Sequence, residues 1–229
     1  MEQLHNGFTL DIPSGVFPLS TDSMLLSDFV RLPAHAQVLD LGAGGGTLGL
    51  LLCAKDAGCR VTGVELDPAA HNAAQDNTER NGLKDRLINI CADLRRIPEF
   101  IPPWSFHVCV SNPPYFDGGP ASYAVPTARR EDCCTLPELI HSAAWALKYG
   151  GDFFLVHRPE RMAQIIALAS AAGLEPKRLR LVRHRAKGGV SLILLACRKG
   201  AKPGLVWEEM TLFCEDGSPT DAYRELYHL

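Results

Sequence analysis

Short apolar runs rich in Val, Ile and Leu alternate with stretches of helical spacing along the chain. "QVLDL" (37–41) predicts a buried strand, and "TLGLLLCAKDAG" (47–58) a helix stopped by Gly58. "RVTGVEL" (60–66) predicts a second strand. A helix follows over 67–82, with Asp67 as N-cap, Pro68 in the first turn and Gly82 beyond its end. "RLINICA" (86–92) and "FHVCVS" (106–111) predict a third and a fourth strand. Next come a helix over 136–150, a fifth strand at 151–157 and a helix over 159–173. Two last strands, near 177–184 and 190–197, flank "AKGG". So short a link suits a hairpin and not a helical crossover.

Repeated strand–helix units imply an open α/β sheet of the Rossmann-like kind, with helices on both faces. The pattern predicts seven strands, mostly parallel, with the last one antiparallel. Residues 37–200 read as one domain. Residues 1–36 form an N-terminal extension with a helix in "TDSMLLSDFVRL", and 201–229 a C-terminal extension of the same domain whose elements the pattern does not place.

Composition narrows the class. The chain has 229 residues, 46% of them hydrophobic, enough for one large α/β domain. A net charge of -3 makes the whole molecule no general magnet for nucleic acid or membrane. The eight cysteines show no CxxC and no zinc-like spacing, and reduced, buried thiols point to the cytosol. The N-terminus lacks a signal peptide's basic start and apolar core, and no apolar run reaches membrane-spanning length. No grouping of His, Cys and carboxylates has metal-ligand spacing.

The first candidate site is "VLDLGAGGGTLG", which leaves a strand, turns through glycines and enters a helix. Gly42 and Gly44 let the backbone turn tightly and approach a ligand. Glu65 closes the next strand, where a carboxylate can accept both hydrogens of a ribose diol. These features suit an adenosine-bearing cofactor. Read from Gly44 through Gly46 to Gly49, the loop also fits the dinucleotide pattern, so a NAD-dependent oxidoreductase is one rival. However, Asp40, two residues before Gly42, makes the stretch resemble motif I of the class I S-adenosylmethionine-dependent methyltransferases. The resemblance implies that Asp40 orients the methionine end of S-adenosylmethionine. It also matches Asp93, in "CADLR", to the acid that accepts from the cofactor's adenine amino group. A helix cap is the plainer alternative for Asp93, and an exposed strand end for Glu65. Asp22, in "STDSML", reads either as a neighbour of the methionine end or as an N-cap.

The second candidate is "SNPPYF" (111–116), at the end of the fourth strand. In such a sheet, ligands sit beyond the carboxyl ends of the strands near the switch point. Consecutive prolines fix the backbone there, so Asn112 and a proline carbonyl present acceptors and Tyr115 a flat face. Two acceptors and a π-face suit a planar group carrying an NH2. "NPPY" resembles motif IV of the amino-methyltransferases, which modify adenine N6, guanine N2 or a glutamine amide. The resemblance implies that Asn112 and the Pro113 carbonyl accept from the target NH2, that Pro114 keeps the turn rigid, and that Tyr115 stacks on a flipped base.

Several further stretches, "GVFPLSTDSMLLSDFV", "ARRED" and "LVRHRAKGGVSLILLACRKG", resemble the tRNA adenine-N6 methyltransferases that act on adenosine 37 of a valine tRNA. Charge points the same way. Between Lys177 and Lys202 lie nine Lys and Arg and no acid, a candidate phosphate-binding patch that includes Arg183, Arg185 and Lys187. Arg129 and Arg130 follow the motif and are further candidates for the RNA backbone. A solvated face is the plainer reading of the basic stretch. The remaining rivals are a protein glutamine N5-methyltransferase acting on release factors, a guanine-N2 RNA methyltransferase, and a silent RNA-binding module. Only 36 residues precede the first strand, too few for the helical domain that precedes the glutamine enzymes' catalytic fold.

Overall fold

The structure, a computed structural model, describes residues 1–4, 7–114 and 134–227. Strands β1 (Glu2–Gln3) and β2 (Thr9–Leu10) form a small antiparallel pair, and α1 spans Thr21–Phe29. Then follow β3 (Gln37–Leu41), α2 (Thr47–Lys55), β4 (Arg60–Glu65), α3 (Pro68–Arg80), β5 (Leu87–Cys91) and β6 (Phe106–Ser111). The second half holds α4 (Leu136–Ala146), β7 (Leu147–His157), α5 (Met162–Ala171), β8 (Leu174–Arg185), β9 (Val190–Lys199), β10 (Val206–Phe213) and α6 (Asp221–Tyr227).

The main sheet runs β10-β8-β9-β7-β6-β3-β4-β5, and β9 is antiparallel to both of its neighbours. The expected α/β architecture is therefore present, with eight strands in place of seven. The addition is β10, which pairs parallel with the outer side of β8. Its outer residues Val206 and Trp207 are exposed and it carries Glu208 and Glu209, so it has no long apolar run to read as a strand. A second difference is at β7. "LKYG" continues no helix; it starts the strand, with a register shift opposite Phe106/Val108. The cap at α3 is as expected, with Asp67 accepting from the Ala69 amide and Pro68 at the start.

Period-two burial splits the core into two faces. Val38, Val108, Val110, Phe154, Val156 and Leu194 face α1 and α2. Leu39, Leu41, Cys109, Phe153, Leu155 and Ile193 face α4 and α5. Helix α1 is fixed against the first face by Phe29, whose ring meets Phe154 edge-on at 6.0 Å. Arg178 also lies over that ring and donates to the Phe29 carbonyl. The Lys55 ammonium closes the same helix end on the carbonyls of Ser27, Asp28 and Val30 at 2.8–2.9 Å. At the other end of α1, the Tyr227 hydroxyl meets Thr21 Oγ1 at 3.1 Å, completing an aromatic run through Tyr223 and Phe213 to His184.

Candidate functional site

Strand order reverses at β3, which has β4 on one side and β6 on the other. A crevice opens beyond the strand ends at such a point. The Ser111 hydroxyl donates to the Leu41 carbonyl at 2.7 Å and ties the ends of β6 and β3 together. The glycine loop and the Asn112 segment thus leave the sheet side by side.

The loop turns through positive φ at Gly42 (+78°) and Gly44 (+55°), a region other residues adopt only under strain. Among the described residues nothing lies within 4 Å of where a Cβ would stand at either position, so they leave open space there. Glu65 anchors it from β4. One carboxylate oxygen accepts from the Gly44 amide and the other from the Asp67 amide, each at 2.8 Å. Two backbone donors therefore fix the carboxylate, and each oxygen keeps a lone pair for a further donor.

Asp40 is the anomaly of the site. It is 1% exposed, and among the described residues neither of its oxygens meets a donor. Burial, and after it the charge of Glu65, pushes its carboxyl up to about 8. A buried acid without a partner is costly unless a bound cation completes it.

Asp93 is both a cap and an ion-pair partner. It accepts from the Arg95 amide at 2.9 Å, and the Arg95 guanidinium binds both of its oxygens at 2.6–2.9 Å. The Arg95 bonds hold its carboxyl below the usual range.

The Asn112 side-chain amide donates from Nδ2 to Ser23 Oγ on α1, at 3.1 Å. Pro113 is buried and Pro114 half-buried. Tyr115, Arg129 and Arg130 lie outside the described residues. Asp22 stands in the first turn of α1, and the N-cap is Ser20.

Sequence reasoning missed Ser23 and Asn77. Asn77 is 1% exposed on α3. Its Nδ2 donates to the Asp11 and Gly45 carbonyls at 3.0 Å, and its Oδ1 accepts from the Asp11 amide at 2.9 Å. It thereby fastens the N-terminal segment to the glycine loop. The only sequence signal was a polar residue on the face of α3 that carries Ala70, Ala73 and Ala74.

The basic stretch needs correction. Arg180 is held between Asp28 (2.6 Å) and Glu208 (2.7 Å), Arg183 reaches Glu209 (3.4 Å), and Arg198 binds both oxygens of Asp152 at 2.9 Å. Lys199 donates to the carbonyls of Ala144 and Leu147. The acids come from β10 and from distant parts of the chain, so a local count overstated the free charge. Arg185 and Lys187 are exposed at the β8–β9 turn, at the same end of the sheet as Asn112.

Among the described residues no group of His, Cys, Asp and Glu is placed to hold a metal. No helix among them is long and apolar enough to cross a membrane.

Comparison with known proteins agrees with this geometry. Residues 14–171 match the model of the methyltransferase small domain. A protein of Tolumonas auensis named tRNA1(Val) (adenine(37)-N6)-methyltransferase is 31% identical over 202 residues, covering 85% of this chain and 82% of that one. One of the same name from Shewanella halifaxensis is 31% identical over 159 residues, 69% of this chain, and the match spans 64% of the relative's length. A solved structure described as a predicted O-methyltransferase of Agrobacterium tumefaciens superposes with a TM-score of 0.76. It covers 91% of this chain and 96% of that one at 22% identity, a likeness of fold. S-adenosylmethionine, the methyl donor, fits the residues present. The unpartnered Asp40 carboxylate would take its ammonium, Gly42 and Gly44 leave room along the loop, and Glu65 is fixed where a ribose would lie. The glycine loop, the buried Asp40 and the match over 14–171 converge: the chain belongs to the methyltransferase small-domain family, S-adenosylmethionine-dependent enzymes of class I.

Proposed function

We propose that this chain methylates the exocyclic N6 amine of adenine in tRNA, at adenosine 37 of a valine tRNA. The observation that carries the chemistry is Asn112, followed by two prolines, at the switch point beside the glycine loop. The names of the relatives support the choice of RNA.

Bound S-adenosylmethionine supplies an electrophilic methyl on a sulfonium, which departs as the neutral thioether. The residues of the chain act on the amine. An amine conjugated to a purine is a weak nucleophile, because its lone pair is delocalised into the ring. Asn112 Oδ1 and the Pro113 carbonyl accept from its two hydrogens, favour its pyramidal form and aim the lone pair at the methyl. Methylation would form the N–C bond as the donor's C–S bond breaks, and the amine held by Asn112 and Pro113 would give up one proton to water. Tyr115 is assigned to stack on the adenine. Asp40, Gly42, Gly44, Glu65 and Asp93 are assigned to the cofactor. Asp93 is assigned its adenine contact together with Arg95, which already holds it.

Arg185 and Lys187, with Arg183 behind them, are assigned to the RNA backbone, together with Arg129 and Arg130. On this reading the catalytic domain is 37–200. Residues 1–36 and 201–229 extend it, one over the glycine loop and the other along β8. The cytoplasm, where tRNA and reduced thiols coexist, is the assigned compartment.

The test uses labelled S-adenosylmethionine and unmodified tRNA, followed by digestion to nucleosides. Labelled N6-methyladenosine is the expected product. Label in N2-methylguanosine, or only in a Gly-Gly-Gln protein, would replace the adenine by that substrate.

A further inference from the structure

Asn112 can serve the amine only with its oxygen turned toward it. The terminal torsion of an amide is broadly two-fold, so the group can flip and exchange Oδ1 for Nδ2 at little intrinsic cost. Flipped, its NH2 would oppose the substrate's NH2, donor against donor. Something in the chain must choose the orientation.

Ser23 stands in that position. It is 4% exposed, in the first turn of α1, 89 residues away in sequence, and its Oγ takes the Nδ2 hydrogen of Asn112 at 3.1 Å. A hydroxyl can also donate, so by itself it would tolerate either orientation. Its second neighbour can take up that proton. Ser23 Oγ lies 3.3 Å from Oγ of Ser20, the N-cap of the helix, which also accepts from the Ser23 amide. When the Ser23 proton points at Ser20, only lone pairs face Asn112, and the amide must present nitrogen to Ser23 and oxygen to the site.

We propose that Ser23 is the positioning residue of the methyl transfer: through its bond to Nδ2 it fixes the Asn112 amide with Oδ1 toward the target amine. This rests on the reading that Asn112 accepts from that amine. It assigns to the N-terminal helix a part in turnover and none in holding either substrate.

The experiment compares Ser23→Ala, Asn112→Ala and the double variant for single-turnover rate on unmodified tRNA transcript. S-adenosylmethionine affinity and melting temperature are measured alongside. Ser23→Ala is expected to slow methyl transfer about tenfold, with KM for tRNA and S-adenosylmethionine affinity unchanged. Added to Asn112→Ala, it should cost nothing more, because the amide it orients is gone. Ser23→Thr, which keeps the hydroxyl, should restore most of the rate. An unchanged rate in Ser23→Ala overturns the proposal. So does a tenfold loss that persists in the Asn112→Ala background, which a general disturbance of α1 would give. Near-normal turnover in Asn112→Ala would remove the underlying reading instead, and Ser23 with it. Should Ser23→Ala fail to fold, Ser23→Cys carries the same comparison, with a weaker acceptor of similar size.

Discussion

Replacing Asp40 by Asn should make the cofactor-free protein more stable while removing its grip on S-adenosylmethionine. The carboxyl is held up to about 8, against an ordinary value of 3.8. A folded state that binds a proton more tightly than the unfolded chain loses stability as pH rises between those two values. Asp40's contribution is therefore fully present below about pH 4 and lost by about pH 8. At about 1.4 kcal/mol per pH unit, the whole window is on the order of 5 kcal/mol. Asparagine has the same shape and no charge, but it buries an unmatched NH2 worth about 1–3 kcal/mol. The net gain expected near pH 8 is about 2–4 kcal/mol, or roughly 5 °C or more in melting temperature for a chain of this size. Near pH 4.5 the carboxyl is protonated in the folded state and still mostly ionised in the unfolded chain, so only about 1 kcal/mol of that window has been lost, and the gain should vanish or reverse.

Thermal melts of both proteins from about pH 4.5 to 8.5 without cofactor, paired with calorimetric titration of S-adenosylmethionine, make the test. Taking the difference between the two proteins cancels every other titrating group. The cofactor's ammonium favours the ionised acid, so wild-type affinity should climb with pH up to about 8, with proton release on binding. The Asn variant should bind about 100-fold more weakly or worse. A stability difference that stays flat with pH would refute the account of Asp40 as a buried, unmatched acid.

Asn77→Ala strands the Gly45 carbonyl and both backbone groups of Asp11, so it should cost about 3 kcal/mol in denaturant unfolding and weaken S-adenosylmethionine binding. Reversing Arg185 and Lys187 to Glu should weaken tRNA binding and reduce the slope of log K against log salt by roughly 2, with folding intact. Arg180→Ala should instead cost about 1 kcal/mol of stability, because Asp28 and Glu208 are half-exposed and water takes over their pairing, so the two sites separate in a melt. Burial, the largest cause, pushes the His157 imidazole down to about 4, so its contribution to stability is present above about pH 6.5 and lost as pH falls toward 4. His157→Gln should therefore flatten the acid limb of the stability profile.

What the sequence revealed depended on the range of the interaction. Strands and helices built on their own apolar period were legible, as was the cap at Asp67, because each is settled within a few residues. The glycine turn and Asn-Pro-Pro were legible for the same reason: their chemistry is contiguous. β10 was not, since its outer side is exposed and it is made a strand by its pairing with β8. The basic stretch misled because Arg180 finds its partners 152 and 28 residues away. Ser23 and Asn77 act on groups 89 and 66 residues distant, and neither leaves a local pattern.

The ties on α1 also bear on how the protein is made. Helix α1 is translated early, yet its far end is fastened by Phe154 and Arg178 and its near end by Tyr227. While the ribosome is still threading the first strands, α1 has none of these partners, and a nine-residue helix does not persist alone in water. The last of these fasteners, Tyr227, emerges near the end of synthesis, long after Ser23 and Asn112. A nascent chain therefore carries its glycine loop for most of its synthesis before the helix beside it has all of its native partners.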